Sequence, residues 1–228
     1  MAEAPNHVGI IMDGNRRFSK RLMQKPWMGH KWGARKLEKV MEWLQEMGVK
    51  ETTFYCLSLE NFNRPKIEFD YLMKLFDEEL GNSLKDERIV KNQIKMRFIG
   101  RIHLLPESIQ EKIKKIEKKT EKFNKFIVNF AMAYSGRAEI IDAVKRIAKK
   151  GLTPEQINEE SFAKELYVDS QPDLIIRTSG EKRTSGFMLW QSSYAELYFS
   201  TKLWPEFEKE DLKEAIDDYQ NRDRRFGK

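Results

Sequence analysis

The stretch most able to do chemistry is Asp13-Gly14-Asn15-Arg16-Arg17, which directly follows an apolar run over residues 8–12. That run is rich in β-branched residues and too short for an independent helix, so it predicts a buried parallel strand. Gly14 permits a turn closed to residues with a Cβ, and Asn15 also tolerates a positive φ. A backbone turned there, beside paired arginines, would bind a phosphate or diphosphate. In the alternative interpretation, Asp13 only caps the next helix and the arginines are solvated.

Polar and cationic groups also follow other predicted strands. Strands predicted over residues 52–57, 126–134 and 173–176 lead into residues 61–64, 135–137 and 177–185, which are rich in Arg, Asn, Gly and Ser. In open α/β sheets ligands bind beyond the carboxyl ends of the strands, so these groups are expected to converge on one crevice. Repeated arginines at strand ends suit bidentate recognition of phosphate oxygens.

The elements that must position these groups alternate along the chain between strands and helices. Further extended segments are predicted over residues 94–99, 187–190 and 196–199, and the main helices over 17–24, 31–47, 67–92, 106–123, 138–149 and 205–219. No internal repeat, low-complexity tract or linker interrupts them. We therefore expect residues 1–228 to form a single α/β domain, with a sheet of about six mostly parallel strands flanked by helices.

Composition narrows the class of protein and of partner. The formal charge of +6 suggests anionic partners, although 42 basic residues are well interspersed with 36 acidic ones. Cys56 is the only cysteine, which excludes an intrachain disulfide and a four-cysteine zinc site. No apolar run approaches the roughly 20 residues of a spanning helix, and the N-terminus lacks a signal-peptide pattern. We expect a cytoplasmic protein.

The sequence lacks the motifs that usually indicate nucleotide, helical metal or nucleic-acid binding. Neither G-x-x-x-x-G-K-[ST] nor a G-x-G-x-x-G after the first strand occurs, so ATP and dinucleotide binding are not indicated. The three histidines lack the i, i+4 pairing of a helical metal site. No nucleic-acid-binding module or basic-aromatic platform is recognisable, so no nucleic-acid partner is expected.

A magnesium site remains open, because Mg²⁺ needs only one or two carboxylates plus diphosphate oxygens. Asp13 and Glu196 are the candidate ligands, since both lie at predicted strand boundaries beside arginines. Glu196 could equally be a surface carboxylate in the otherwise apolar segment over residues 194–199.

The motifs closely resemble those of the cis-prenyltransferase family, which includes undecaprenyl and dehydrodolichyl diphosphate synthases. The resemblance covers almost the whole chain and rests on four segments: residues 7–17, 58–65, 177–185 and 189–205. Many bacterial members have Gly-Arg-Trp where this chain has Arg16-Arg17-Phe18, so the chain is more similar to the archaeal and eukaryotic branch. Pro26 and Lys182 also depart from bacterial patterns, which leaves the allylic primer undecided.

This resemblance implies a reaction. Isopentenyl diphosphate would be condensed with an allylic diphosphate, farnesyl or geranylgeranyl diphosphate, with Mg²⁺ assisting departure of diphosphate. The product would be a long-chain cis-polyprenyl diphosphate for glycosyl-carrier lipid synthesis. An alternative is a prenyltransferase of the same fold that uses another acceptor or makes a short product.

The resemblance also assigns roles to residues. Asp13 and Asn61 would be catalytic, and Asp13 and Glu196 would serve the metal. The allylic diphosphate and reacting centre would be contacted by Gly14, Asn15, Arg16, Arg17, Phe18, His30, Ser58, Phe62 and Arg64, and isopentenyl diphosphate by Arg177, Arg183 and Ser185. Arg225 and Gly227 would belong to a tail that reaches the partner's site in a homodimer.

A hydrophobic tunnel is implied for the growing hydrocarbon, and peripheral membrane contact for its lipid product. An apolar stripe on the helix over residues 67–92 could line that tunnel or could equally be ordinary core. Its members are Ile67, Tyr71, Leu72, Leu75 and Phe76.

Overall fold

A computed structural model describes residues 3–222. Its strands are β1 (His7–Ile11), β2 (Glu51–Ser58), β3 (Ile94–Ile99), β4 (Phe126–Tyr134), β5 (Leu174–Arg177) and β6 (Glu196–Phe199). They form one six-stranded sheet in the order β3-β4-β2-β1-β5-β6, and every neighbouring pair is parallel. The predicted α/β class and strand number are confirmed.

Helices cover both faces of this sheet. They are α1 (Asn15–Arg21), α2 (Gly29–Glu46), α3 (Lys66–Lys85), α4 (Glu87–Lys91), α5 (Glu107–Thr120), α6 (Gly136–Lys150), α7 (Glu159–Ala163) and α8 (Lys209–Gln220), with 3₁₀ turns at Pro26–Met28, Leu59–Asn63, Ile102–Leu104, Pro154–Gln156 and Trp204–Glu206. Side chains alternate across β1, so Ile10 packs into one apolar cluster and Ile11 into a second. Burial on both faces explains why β1 reads as a continuous apolar run. No helix among residues 3–222 combines the length and apolar character needed to cross a membrane.

Three predicted elements differ from the structure, beginning with the segments predicted over residues 187–190 and 205–219. Residues 187–190 form turns rather than an extended segment, with Met188 at a φ of 47° two residues after Gly186 at 75°. The final helix begins only at Lys209, because the segment around Pro205 forms the 3₁₀ turn Trp204–Glu206 instead.

The long helix predicted over residues 67–92 is broken at Asp86. This residue has an extended ψ of 111°, and its carboxylate accepts a hydrogen bond from the Arg88 backbone amide at 2.9 Å. Asp86 therefore ends α3 and caps α4. Asp86 followed by Glu87 is a recognisable helix-start signal. The prediction of one long helix relied on hydrophobic periodicity alone and missed it.

The strand order places a topological switch point beside β1. The chain adds β2, β3 and β4 on one side of β1 and later β5 and β6 on the other. The register pairs Ile11 with Arg177, so the loops that follow β1 and β5 emerge together at the carboxyl edge of the sheet. That edge is where an α/β sheet of this kind holds a ligand.

Candidate active site

Asp13 lies at this switch point and is held from both neighbouring loops. Arg177 Nη2 donates to Asp13 Oδ2 at 2.9 Å, and Arg17 Nη2 lies 3.5 Å from the same oxygen. The Thr178 hydroxyl accepts from the Asp13 amide at 3.0 Å and donates to the Asp13 carbonyl at 2.6 Å. The residue at the N-cap of α1 is Gly14, and no side chain caps that helix. The helix-cap interpretation of Asp13 is therefore wrong.

The Asp13 carboxyl remains ionised in this setting. Burial alone would raise its pKa, but hydrogen bonds from Arg177 and Ser179 and the positive charges of Arg177 and Arg17 outweigh burial. The pKa consequently lies below its ordinary value. The side chain is 32% exposed, so the carboxylate still opens toward solvent and a ligand.

Gly14 makes the turn that the sequence predicted. Its φ is +112°, and a Cβ there would lie 2.9 Å from a Leu203 side-chain atom. Asn15 does not need a positive φ, because it is already the first residue of α1. Instead its backbone and side chain abut α2, where a Cβ on Gly29 would lie 1.9 Å from the Asn15 carbonyl oxygen. This close contact brings the start of α2, and with it His30, against the Asp13 loop.

A basic pocket of about 340 Å³ opens beside Asp13. Its cationic lining comes from Arg16, Arg17, Lys20 and Arg64. The complete lining is Met12, Asp13, Gly14, Asn15, Arg16, Arg17, Lys20, His30 and Arg64. The structure thus brings together most of the residues assigned to the allylic diphosphate, and the pocket has the charge and size that suit such a group.

Glu68, which the sequence interpretation missed, organises the far side of this pocket. Its side chain is 2% exposed, and its carboxylate lies 2.8 Å from Arg64 Nη1, 3.6 Å from Arg16 Nη2 and 3.7 Å from His30 Nε2. A buried carboxylate with several cationic neighbours holds them in fixed positions. The i, i+4 spacing of Arg64 and Glu68 at the start of a predicted helix was the available signal.

His30 is neutral in this pocket. Burial, followed by the positive charges of Arg64 and Arg16, lowers the pKa of its imidazole to about 3. Arg64 Nη1 lies 3.3 Å from His30 Nε2, and a guanidinium can only donate. Nε2 is therefore the acceptor, and Nδ1 carries the proton.

The loop after β5 wraps around the buried guanidinium of Arg177, whose side chain is 5% exposed. Arg177 Nη1 donates to the Arg183 carbonyl at 2.5 Å and to Ser185 Oγ at 2.7 Å. Ser185 adopts a φ of 51° to reach that position. The Arg183 side chain points outward, 60% exposed, and pairs with Glu181 at 2.5 Å. Arg177 thus lies in the loop's interior, whereas Ser185 is exposed and the Arg183–Glu181 pair faces solvent, where a ligand can approach both.

Arg17 links the two loops. Its Nη1 donates to the Ser179 carbonyl at 3.1 Å, and its Nη2 contacts the Ser179 hydroxyl. Because the same guanidinium also lines the basic pocket, it stands between that pocket and the loop after β5. The basic pocket and the loop after β5, which are predicted to bind the two diphosphates, are therefore neighbours.

Four of the residues assigned to the substrate lie outside the lining of the basic pocket: Phe18, Ser58, Asn61 and Phe62. Asn61 Oδ1 accepts from the Ser58 amide at 3.2 Å in a capping box that starts the 3₁₀ turn. Phe62 packs on Phe69, with ring centroids 5.1 Å apart, and Phe18 meets Trp32 edge-on at 5.9 Å. In this conformation these residues shape the surrounding segments, and their assignment to substrate stays a prediction.

Glu196 does not lie beside Asp13. It begins β6, where it pairs with Leu174, and Leu174 pairs in turn with Val8, five residues before Asp13. At about 3.3 Å per strand residue, Glu196 lies near the opposite edge of the sheet. Arg222 Nη1 donates to its carboxylate at 2.5 Å. Asp13 and Glu196 of one chain therefore do not lie close enough to share an ion, and the metal role assigned to Glu196 stays a prediction.

The donor set around Asp13 nevertheless fits magnesium. Among residues 3–222, no group of three or more His, Cys, Asp or Glu side chains could hold a metal alone. Mg²⁺ typically binds one or two carboxylates and completes its shell with phosphate oxygens and water. The ionised, partly exposed Asp13 carboxylate at the mouth of a basic pocket matches that requirement.

An apolar cavity of about 250 Å³ adjoins the basic pocket and shares Met12, Asn15 and His30 with it. The cavity runs between α2, α3 and the face of the sheet. Leu72, Leu75 and Phe76 line it, whereas Ile67 is 58% exposed and Tyr71 lies outside the lining. The stripe on α3 is thus part tunnel wall and part surface. Arg225 and Gly227 of the predicted tail lie outside the described residues.

Comparison with known proteins places the chain in a family. The prenyltransferase family model, described as undecaprenyl diphosphate synthase, matches residues 11–227. A tritrans,polycis-undecaprenyl-diphosphate synthase (geranylgeranyl-diphosphate specific) of Methanopyrus kandleri is 51% identical, over 98% of this chain and 85% of the relative.

Two solved structures are similar over essentially the whole chain. Lavandulyl diphosphate synthase from Lavandula x intermedia, in complex with dimethylallyl diphosphate, has a TM-score of 0.94 at 36% identity and 99% coverage of both chains. A probable undecaprenyl diphosphate synthase of Campylobacter jejuni has a TM-score of 0.84 at 36% identity, with both chains fully covered. The chain belongs to the undecaprenyl diphosphate synthase family of cis-prenyltransferases.

Proposed function

We propose that the protein condenses isopentenyl diphosphate with geranylgeranyl diphosphate to give a long-chain cis-polyprenyl diphosphate that serves as a glycosyl-carrier lipid precursor. One observation carries this proposal: the basic pocket beside Asp13 opens into an apolar cavity through shared residues. An allylic diphosphate needs that pairing, an anion site joined to a dry channel. Geranylgeranyl diphosphate is preferred over farnesyl diphosphate because the relative from M. kandleri is named as specific for it.

The residues of the basic pocket would bind and ionise the allylic substrate. Arg16, Arg17 and Arg64 hold the diphosphate and stabilise the negative charge that develops as the allylic C–O bond breaks. The neutral His30 can donate its Nδ1 hydrogen without adding charge. When bound at Asp13, Mg²⁺ would supply further neutralisation of the departing diphosphate.

The second diphosphate belongs to the loop after β5. Arg183 and Ser185 bind isopentenyl diphosphate there, and the buried Arg177 braces that loop against Asp13. The double bond of isopentenyl diphosphate attacks the allylic C1, and loss of a proton completes the new cis double bond. Asn61 and Phe62, on the Leu59–Asn63 turn, border the reacting centre.

The experiment is incubation of purified protein with Mg²⁺, radiolabelled isopentenyl diphosphate and geranyl, farnesyl or geranylgeranyl diphosphate. We expect label in a butanol-extractable polyprenyl product, with the highest rate from geranylgeranyl diphosphate. Folded protein that transfers no label with any of these primers contradicts chain elongation.

A second candidate is supported by the structural similarity to lavandulyl diphosphate synthase, whose structure holds dimethylallyl diphosphate. In that case the chain would join short allylic units or use another acceptor. Product formation from dimethylallyl diphosphate with isopentenyl diphosphate omitted would favour this function, whereas a requirement for isopentenyl diphosphate favours elongation.

The protein would act as a cytoplasmic homodimer that contacts membranes peripherally through its lipid product. Arg225 and Gly227 would reach the partner's isopentenyl diphosphate site, and any metal role of Glu196 would likewise be exercised in a partner's site. Mixing an Asp13→Ala chain with an Arg225→Ala chain tests the tail: activity should return in heterodimers, because both lesions then fall on one site. Proven subunit exchange without recovery contradicts a tail that acts across the interface.

A further inference from the structure

The apolar cavity has a second end, remote from the basic pocket. Helices α2 and α3 both begin at that pocket, where His30 Nε2 lies 3.7 Å from Glu68 Oε1. Glu42 lies three turns further along α2, about 18 Å away at 1.5 Å per residue. The two helices therefore form walls of a channel that runs from the diphosphate site to a distal end near Glu42.

This distal end is lined by charges, in contrast to the apolar walls. Arg88 on α4 donates from Nη1 to Glu42 Oε1 at 3.1 Å and from Nη2 to Glu38 Oε2 at 3.4 Å, both on α2. Its Nη2 also donates to Asp86 Oδ2 at 2.7 Å. All four side chains belong to the cavity lining. The break at Asp86 is what lets α4 turn so that Arg88 crosses to α2.

The ion pairs that Arg88 makes with Glu38 and Glu42 at the distal end are weak and reversible. The side chains of Arg88, Glu38 and Glu42 are 57%, 49% and 54% exposed. Exposed ion pairs contribute little to stability and are screened by salt. Asp86, the N-cap residue of α4, also binds the guanidinium, with Arg88 Nε donating to Asp86 Oδ1 at 3.0 Å. The contacts to α2 can therefore break while Asp86 keeps Arg88 in place.

The ion pairs of Arg88 and a hydrocarbon chain cannot occupy the distal end of the channel at the same time. Each condensation adds a unit between the diphosphate, which is held in the basic pocket, and the existing chain, so the free end advances along the channel. Passing apolar groups through the Arg88 cluster would strip water from charges without replacing their hydrogen bonds. The advancing end meets a barrier that a packed apolar wall would not create.

We propose that Arg88, through its ion pairs to Glu38 and Glu42, is a latch that closes the distal end of the channel and limits product length. This assignment rests on the proposed chain-elongating function. Arg88 touches no reacting atom, so its effect is on the length of the product and not on the chemical step.

The test compares the wild-type chain with Arg88→Met and with the Glu38→Gln, Glu42→Gln double variant. Asp86 is left intact because it caps α4. Arg88→Lys, which keeps the charge, is the conservative control, and Lys74→Met removes a matched exposed ion pair on α3 that lies outside the cavity. Each protein receives Mg²⁺, labelled isopentenyl diphosphate and geranylgeranyl diphosphate. Chromatography of the dephosphorylated products measures their length, and thermal unfolding verifies the fold.

We expect products longer by at least one isoprene unit from Arg88→Met and from the double variant, with initial incorporation retained. Arg88→Lys and Lys74→Met should give wild-type lengths. Unchanged or shorter products from both latch variants, each folded and active, overturn the latch while leaving elongation intact. A wild-type chain that makes no elongated product with any primer overturns the proposed function and the latch with it.

Discussion

The basic pocket and the apolar channel adjoin each other, yet they are built in opposite ways. The pocket consists of charged side chains that follow strand ends and are fixed by the carboxylates of Asp13 and Glu68. The channel consists of the facing surfaces of α2 and α3, and polar groups close it only at its distal end. We therefore expect the cross-braced loops to hold charge rigidly, and the packing of α2 against α3 to hold hydrocarbon with room to vary in width.

This difference predicts a separation of effects. Substitutions in the pocket should change the rate of condensation and leave product length alone. Substitutions in the channel should change product length and leave the initial rate alone. The predictions below on catalysis and product length would break this separation if the two effects appeared together, and the prediction on pH tests the rigid charge network of the pocket.

The largest expected effect comes from Asp13→Ala. Under the proposed function Asp13 acts on the departing diphosphate, so its removal should lower kcat by on the order of 10² to 10⁴-fold, as with other electrostatic stabilisers. The variant should remain folded, because Asp13 is partly exposed and Arg177 keeps its contacts to Arg183 and Ser185. Steady-state kinetics and circular dichroism measure both quantities. An unfolded variant with normal turnover per folded molecule would mean that the carboxylate is only structural.

Glu68→Gln should have the next largest effect. The amide cannot balance Arg16 and Arg64, so these side chains should lose their fixed positions, and misplaced binding groups cost catalysis. We expect the KM for the allylic substrate to rise about tenfold and unfolding free energy to fall by about 1–3 kcal/mol. Asp70→Asn, which removes an exposed ion pair on the same helix, is the matched control. A lower KM would instead show that Glu68 competes with the diphosphate for the arginines.

The pH dependence of stability should report the neutral state of His30. The pKa of His30 in the folded protein, about 3, lies below its ordinary value of 6.5, so between these two pH values the unfolded chain binds a proton that the folded chain does not. Stability contributed by this group is complete above pH 6.5 and falls as pH drops toward 3, by about 2 kcal/mol at pH 5. Urea unfolding of wild type and His30→Asn at pH 7.5 and pH 5 isolates the effect.

His103→Gln, which removes a histidine outside the lining of the basic pocket, is the matched control. The buried His7, whose pKa is also lowered by burial, contributes equally to every protein in this comparison. Parallel loss of stability in wild type and His30→Asn would mean that His30 is charged in the folded protein.

The same contrast explains how much could be predicted from the sequence. The pocket follows from short motifs, because Gly14 and its arginines are adjacent in the chain and strand ends meet at one edge. Glu68 was missed because its partners come from three separate segments. Glu196 was misplaced because strand boundaries alone do not say which end of a parallel strand faces the site. The channel depends on how two helices face each other, which no local pattern encodes.

The smallest expected effect on rate comes from Ser83→Leu in the distal half of the channel. Ser83 lines the cavity from α3, and its hydroxyl donates only to the Glu79 carbonyl one turn earlier, at 2.9 Å. Leucine adds volume to an open space, so its cost should stay below the roughly 1–3 kcal/mol of overpacking a filled core. The initial incorporation rate should be unchanged, while the product distribution shifts to shorter chains.

Ser83→Ala is the matched control, because it removes the hydroxyl without filling the channel. Its products should keep the wild-type length, since a hydrogen bond from serine to the preceding turn contributes little to a helix. If Ser83→Leu slowed the first condensation as much as it shortened the product, the channel and pocket would be mechanically coupled. If both variants left product length unchanged, the growing chain would follow another path, and the contrast between a rigid pocket and an adjustable channel would lose its functional meaning.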